Sequence, residues 1–596
     1  MPDVNSDRAK VGAGGAAEAQ AGLTAAEVAE RLQAALGEAV VEVQALLPTR
    51  CYVTVKPEHI ADAAGFLYEK LGARYVVGGG TDQREKDGTF LVTHFFALDQ
   101  AHIYLALHSK VDGDNPRLPS IVPRVPAANW AEREIYDTVG VECVGHPDPR
   151  RLVLPDDWPE GVFPLRSDFR FDEKPPAAEW AEHSHPWDAL EGPSPPSPRL
   201  HFHEPPEGAT VVPIGPFFPV LEEPAHFRVF VDGERVVGCD YRGFYNHRGI
   251  EKLGVSDLTY NQIPFIAERI CGICGFVHST TYCQAVEEAA GIEVPPRARF
   301  IRSIILELER VHSHMLWFGI AGHIIGFDTV LMQTWRMREP LMWLCERITG
   351  SRKTYGMNIV GGVRRDLPKE LYPDILRVLA DIEREWLALY DAIPGDTTLM
   401  ARVKDCCVLT HDEAVRMAAT GPTARGSGVA IDVRGDHPYA AYDQLSFRKC
   451  VYPDGDVLSR VLVRLDETIH AIELIREALE KMPDGPIVAE IKEPIPPGLQ
   501  AMSAVEAPRG EVFHWVLTGE NNRPARWRVR APTYANLQNV PAMIQGDTLG
   551  DVLIGIGSFD PCFSCTERME VVDAESGSVR VYTQEELAKL ATQQRR

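Results

Sequence analysis

Along residues 24–170 the spacing of apolar positions switches repeatedly between helical and strand periods. In "TAAEVAERLQAALG" they recur every three or four residues, which predicts a helix, and the "CYVTVK" that follows reads as a strand. "HIADAAGFLYEKLG" is helical again, whereas "FLVTHFFALD" and "HIYLALHSKV" read as strands. The mixture predicts a small α+β domain over residues 24–170. "GGGTD", Gly78 to Asp82, has glycines like a phosphate loop, but no helix-opening Gly-Lys-Thr follows, so a hairpin turn is expected.

The pattern then breaks. Residues 171–210 carry nine prolines, as in "EGPSPPSPRLHFHEPPEG", a density that predicts an extended linker. Its two His-x-His pairs, His183/His185 and His201/His203, are read as solvated loop histidines. From residue 211 the texture is different. "HFRVFVDGERVVGCDYR" alternates like a hairpin with Asp-Gly at its turn. Long stretches of helical period follow, among them "RARFIRSIILELERVHSHMLWFGIAGHI", "VLMQTWRMREPLMWLCERITG", "LPKELYPDILRVLADIEREWLALYDAI" and "DVLSRVLVRLDETIHAIELIREALEKM". Each has one apolar stripe to bury, so a mostly α-helical bundle with peripheral β hairpins is expected. The glycine-rich residues 1–23 read as a flexible leader.

Composition narrows the function. The chain is 45% hydrophobic and 24% charged, and no apolar run reaches the roughly 18 residues of a membrane span. A formal net charge of −24 argues against nucleic-acid binding, which needs clustered Lys and Arg. The N-terminus lacks the order of a secretory signal, which points to the cytoplasm. The 12 cysteines do not form a disulfide framework, so paired cysteines read as metal or redox ligands.

Two pairs stand out. "ERICGICGFVHS" holds Cys271 and Cys274, and "DPCFSCTER" holds Cys562 and Cys565, each with two residues between the sulfurs. That spacing lets both thiolates reach one ion from a tight turn. "FVHSTTYCQAVEEAAG" is helical, which places Cys274 at a helix start, where the dipole favours a negative sulfur. His278 then lies one turn further along the same face and can donate a hydrogen bond to sulfur without being a ligand. A structural zinc site is one reading, although zinc ribbons place their pairs roughly 15–20 residues apart. Here almost the whole second domain separates them. Spacing does not choose between zinc, iron and nickel.

The surroundings carry a resemblance. "ERICGICGFVH", "EAPRGEVFHW", "DPCFSC" and a basic residue three positions after the last cysteine resemble the large subunit of nickel–iron hydrogenases. The likeness is strongest to the membrane-associated, energy-converting group of the formate hydrogenlyase type, through "YNHRGIEKL", "TGPTARGSG" and "RKTYGMNIVGGVRRDL". "EREIYDTVGVECVGHPDPRRLVLPDDW" resembles the 30-kDa subunit of respiratory complex I, here fused at the N-terminus. The resemblance implies a hydrogenase large-subunit domain, related to the complex I 49-kDa subunit, over residues 211–568. Residues 569–596 would be a C-terminal extension removed after Arg568 on maturation.

It also implies roles. Cys271 and Cys562 would be terminal nickel ligands, and Cys274 and Cys565 would bridge nickel to an iron carrying carbon monoxide and cyanide. The reaction would be reversible, 2 H+ and 2 electrons to H2. Arg509 would hang over the open coordination position as a permanent cation, Pro508 would shape the same wall, and Asp560 would support it. The proton would leave through a glutamate, Glu223 first, with Glu222 beside it and Glu251 as alternative; Asp328 would be a further buried carboxylate. No cluster-binding cysteine set remains, so a small subunit would carry a four-iron–four-sulfur cluster. Membrane subunits resembling antiporters, an electron-donor module such as formate dehydrogenase, a maturation protease and nickel-insertion factors are implied as partners, with the enzyme peripheral on the cytoplasmic face of the membrane. Two rivals remain open: a complex I quinone-reducing subunit, whose members lack the four cysteines, and a non-catalytic zinc-stapled assembly subunit. The other eight cysteines are expected to be buried small hydrophobes.

Overall fold

In the computed structural model, the described residues are 20, 22–154, 158, 160–169, 203–215, 225–244, 247–256, 258–491, 494–563, 571–572 and 579–580. The first helix, α1 (Ala25–Leu36), starts at a capping box. Thr24 Oγ1 accepts the Glu27 N–H, while the Glu27 carboxylate accepts the Thr24 N–H. It buries Ala25, Val28, Ala29 and Leu32, a single helical stripe. That stripe packs on a five-stranded sheet of β1 (Val40–Leu47), β2 (Arg50–Val55), β3 (Arg74–Gln83), β4 (Thr89–Leu98) and β5 (Ile103–Asp112), in the order β1-β2-β5-β4-β3. All pairs are antiparallel except β2 with β5.

The apolar runs in β4 and β5 arise because both faces are covered. Phe90, Val92, Phe96, Leu98, Ile103, Leu105 and Leu107 face the unit's own helices. Their neighbours Leu91, Phe95, Ala97, Tyr104 and Ala106 join the core of the C-terminal half instead. Phe95 packs on Phe513 and Trp515 at ring-centroid distances of 5.0 and 5.7 Å. Gly78–Gly80, expected to form a turn, lie inside β3. The reason is a close approach: a Cβ on Gly79 would sit 3.2 Å from the Arg528 side chain, and one on Gly80 would sit 2.3 Å from Val139.

The C-terminal half is built around α5 (Pro296–Ile324), 29 residues long and buried nearly all round. It follows α4 (Gly275–Ala290) and packs against α6 (Asp328–Thr349) and α8 (Val457–Lys481), with α7 (Tyr372–Ala392) outside them. Two three-stranded antiparallel sheets flank the bundle: β6 (Thr210–Ile214), β7 (His226–Asp232) and β8 (Arg235–Arg242); and β9 (Gln500–Ala507), β10 (Gly510–Thr518) and β11 (Pro524–Arg530). The expected hairpin is β7–β8, turning at Gly233 with φ of +61°. The last short helix, α9 (Val552–Ser558), leads into the second cysteine motif.

The two halves meet along an arginine ladder. Arg526, Arg528 and Arg530, alternate residues of edge strand β11, donate to the carbonyls of Gly80, Gly78 and Val76 on edge strand β3 at 3.0, 2.8 and 3.2 Å. Arg528 also grips Glu134 with two bonds of 2.7 Å. Among the described residues no helix is long and apolar enough to cross a membrane.

Candidate metal centre

Two distant segments deliver the cysteines to one place. Cys274 occupies the N-cap of α4, and Cys271 lies in the turn before it, where the backbone N–H of Cys274 donates to Cys271 Sγ at 3.2 Å. The second motif follows α9, and the Cys562 N–H is held by Thr533 Oγ1 at 3.0 Å. Cys271 Sγ is 2.9 Å from Cys274 Sγ and 3.2 Å from Cys562 Sγ, across 291 residues of sequence. These separations exceed a disulfide bond of about 2.05 Å. They fall within the span of two sulfurs each bound about 2.3 Å from one ion. The sulfurs touch one another rather than surround a common point, and among the described residues no set of three ligating side chains is spread that way. All three are buried. Cys565, Glu222, Glu223 and Arg568 lie outside the described residues, as do His183, His185 and His201.

Pro508 and Arg509 are the two residues of the tight turn between β9 and β10, closed by the Ala507–Gly510 pair. The turn is buried because "TGPTARGSG" lies over it. A Cβ on Gly421 would fall 2.4 Å from the Arg509 carbonyl oxygen, and Gly421 has φ of +66°. Arg509 and Asp560, singled out separately in the sequence, prove to be partners. The guanidinium donates to the Asp560 carbonyl at 2.9 Å, to its carboxylate at 2.7 Å and to Ser313 Oγ at 3.0 Å. Burial opposes the charge of Arg509, but Asp560 and the neighbouring sulfurs outweigh it and hold the guanidinium protonated. Burial pushes the Asp560 carboxyl up against the pull of Arg509, and its residue sits in the left-handed region at φ of +61°.

His278 is fully buried on α4, with Nδ1 3.2 Å from His514 Nε2, and burial holds its pKa down to about 4. Its Nε2 has no hydrogen-bond partner among the described residues, and neither does Asp560 Oδ2. Soft sulfur donors with buried, unsatisfied polar atoms beside them fit a resident metal group.

Sequence reasoning missed the residues that grip the first cysteine turn. Glu309 on α5 accepts the N–H groups of Phe276 and Val277 at 3.0 and 3.1 Å, and Lys353 donates to the Ile273 carbonyl at 2.7 Å. Burial raises Glu309 to about 8 and lowers Lys353 to about 8. Arg464 on α8 stacks over Trp317 at 4.1 Å, beside Asp560. The only sequence signal for these was a charge on an otherwise apolar helix face, which distant pairing explains as well.

One expectation changes. Asp328 is exposed at the start of α6, paired with His323 at 2.7 Å, and is no buried carboxylate. Glu251, the alternative proton carrier, is half-buried and paired with Arg526 and Arg528, which pull its pKa down although burial opposes its charge. Of the other eight cysteines, all but the half-buried Cys239 are buried.

The family described as respiratory-chain NADH dehydrogenase, 49 Kd subunit, matches residues 325–502 and 491–568, and the 30 Kd subunit family matches residues 53–175. The nickel-dependent hydrogenase family matches residues 248–330. The chain is 40% identical over 544 residues to formate hydrogenlyase subunit 5 of Escherichia coli K12, covering 91% of this chain and 93% of that protein. It is 39% identical over 552 residues to hydrogenase-4 component G of the same organism, covering 92% and 94%. A chain of the membrane-bound sulfane sulfur reductase, an archaeal respiratory membrane complex, superposes with a TM-score of 0.58 at 29% identity, covering 61% of this chain and 100% of that one.

Proposed function

Because the chain belongs to the nickel-dependent hydrogenase large subunits, in the branch shared with the 49- and 30-kDa subunits of complex I, we propose that Cys271, Cys274, Cys562 and Cys565 hold its nickel–iron centre. Formation and oxidation of H2 is the reaction. The observation that carries the site assignment is the meeting of Cys271 and Cys562 at 3.2 Å from opposite ends of the C-terminal half. When bound, the centre supplies soft, redox-active coordination with an open position for H2. Cys271 and Cys562 would bind nickel terminally, and Cys274 and Cys565 would bridge to an iron bearing carbon monoxide and cyanide.

The chain's own residues do the rest. Arg509, fixed by Asp560 and Ser313, places a permanent cation against the sulfurs and stabilises negative charge there. Pro508 stiffens the turn that carries it. Glu309 holds the first cysteine turn by accepting the Phe276 and Val277 N–H groups, and Glu223 or Glu222 would carry the proton outward. Electrons pass to a partner, because no second cysteine set with ligand spacing remains. A small subunit with a four-iron–four-sulfur cluster, membrane subunits and formate dehydrogenase as donor fit the named relatives, with the chain peripheral at the cytoplasmic face and its tail removed after Arg568 by a maturation protease once nickel-insertion factors have acted.

Elemental analysis and infrared absorption of the matured protein test this. Equal nickel and iron, with bands from iron-bound carbonyl and cyanide, are expected, and Cys562→Ser should lose nickel and H2 turnover. Zinc alone would instead identify an assembly subunit, and no metal at all would identify a quinone-reducing relative.

A further inference from the structure

Hydrogen-bond direction along a buried chain of rings determines where one proton sits. Trp527 has a single polar atom, the indole N–H, and it can only donate. It donates to His514 Nδ1 at 3.2 Å, so that nitrogen is bare and the His514 proton lies on Nε2. His514 Nε2 is 3.2 Å from His278 Nδ1 and must donate to it. His278 Nδ1 is therefore also bare, and its proton lies on Nε2. A second proton on either ring would set two N–H groups head to head in a fully buried site, where no water relieves them.

We infer that Trp527 and His514 are positioning residues that lock His278 in the Nε2–H tautomer, so that the ring carries one fixed N–H donor a turn along α4 from Cys274. His278 Nε2 is buried without a partner among the described residues, and Cys274 is the N-cap of the same helix. The opposite tautomer would leave a buried lone pair there instead. A donor at that position can draw negative charge from a thiolate brought within its reach, as groups around metal ligands commonly do. The strands make the lock rigid: His514 on β10 and Trp527 on β11 are held in one antiparallel ladder. The functional consequence rests on the reading of the cysteines as nickel–iron ligands; the tautomer itself does not.

The test is nitrogen NMR on the full-length chain labelled at histidine side chains, with His278 assigned by its loss in His278→Gln. One His278 species protonated at Nε2 is expected in both the metal-free and the matured protein. Trp527→Phe and His514→Phe should each add a second species protonated at Nδ1, and should shift the iron carbonyl and cyanide bands of the matured enzyme. His514→Gln, which keeps one acceptor and one donor, should restore the single species. A wild-type His278 protonated at Nδ1 overturns the inference even if no variant folds, and so does an unchanged single tautomer in both phenylalanine variants. Absence of nickel from the matured wild type would refute the metal assignment while leaving the tautomer result standing.

Discussion

At the scale of single residues, the site depends on groups that act on the cysteine turn through its backbone. Glu309 accepts two N–H groups from the first turn of α4, immediately after Cys274. Glutamine would keep one acceptor and set an amide N–H against the other donor. Leaving a buried donor unsatisfied costs about 1–3 kcal/mol. Glu309→Gln should therefore lower the unfolding free energy by about that amount and reduce nickel content, measured by calorimetry and elemental analysis; unchanged values for both would show that the carboxylate does not hold the turn. The sequence offered no route to Glu309, because it reads as one charge on a long helix 35 residues past Cys274. By contrast, Arg509 and Asp560 were legible as motif residues, though not as partners of each other.

At the scale of elements, the β9–β10 turn is the part that turns sequence into site geometry. Pro508–Arg509 would be surface residues in an isolated hairpin; here the Thr420–Gly421 backbone closes over them. Gly421 is needed twice over, for its φ of +66° and for the 2.4 Å approach that a Cβ would make to backbone. Gly421→Ala must move the hairpin, since a main-chain atom cannot rotate away. We expect a stability loss of about 1–3 kcal/mol and a large fall in H2 turnover, with secondary structure retained by circular dichroism. Turnover within a factor of about two of wild type would show that the cover does not position Arg509.

At the scale of the whole molecule, the N-terminal sheet is bound to the metal-bearing half by buried charge as well as by apolar packing. Arg528→Ala removes the bidentate partner of Glu134 and a bond to the Gly78 carbonyl. Breaking a buried pair from one side costs about 3–5 kcal/mol. The variant should show earlier thermal unfolding and new protease cleavage between the halves, and Arg528→Lys should not rescue it, because an ammonium cannot reproduce the fork. Acid should loosen the same sheet. Burial holds His94 down to about 3 and His108 down to about 4, against 6.5 ordinarily. The unfolded chain takes up protons that the folded one refuses, so stability falls as pH drops from about 6.5 to about 4. Each histidine contributes about 1.4 kcal/mol per pH unit over that window. His94→Gln should flatten that dependence in thermal unfolding followed against pH; an unaltered slope would show that His94 titrates normally.

The sequence by itself determined the long helices, most strands of the first sheet, the Asp-Gly hairpin and the two cysteine pairs, because periodicity and short-range spacing are local properties of the chain. It misread Gly78–Gly80 as a turn and Asp328 as buried, since both depend on what lies opposite: an arginine ladder in one case, solvent in the other. Only the tertiary structure decided that Arg509 pairs with Asp560, that Glu309 and Lys353 grip the cysteine turn, and that β4 and β5 serve two cores at once. These are contacts between segments hundreds of residues apart in several cases. Their energies come from burial, which raises the cost of every unpaired charge and thereby makes the choice of partner specific.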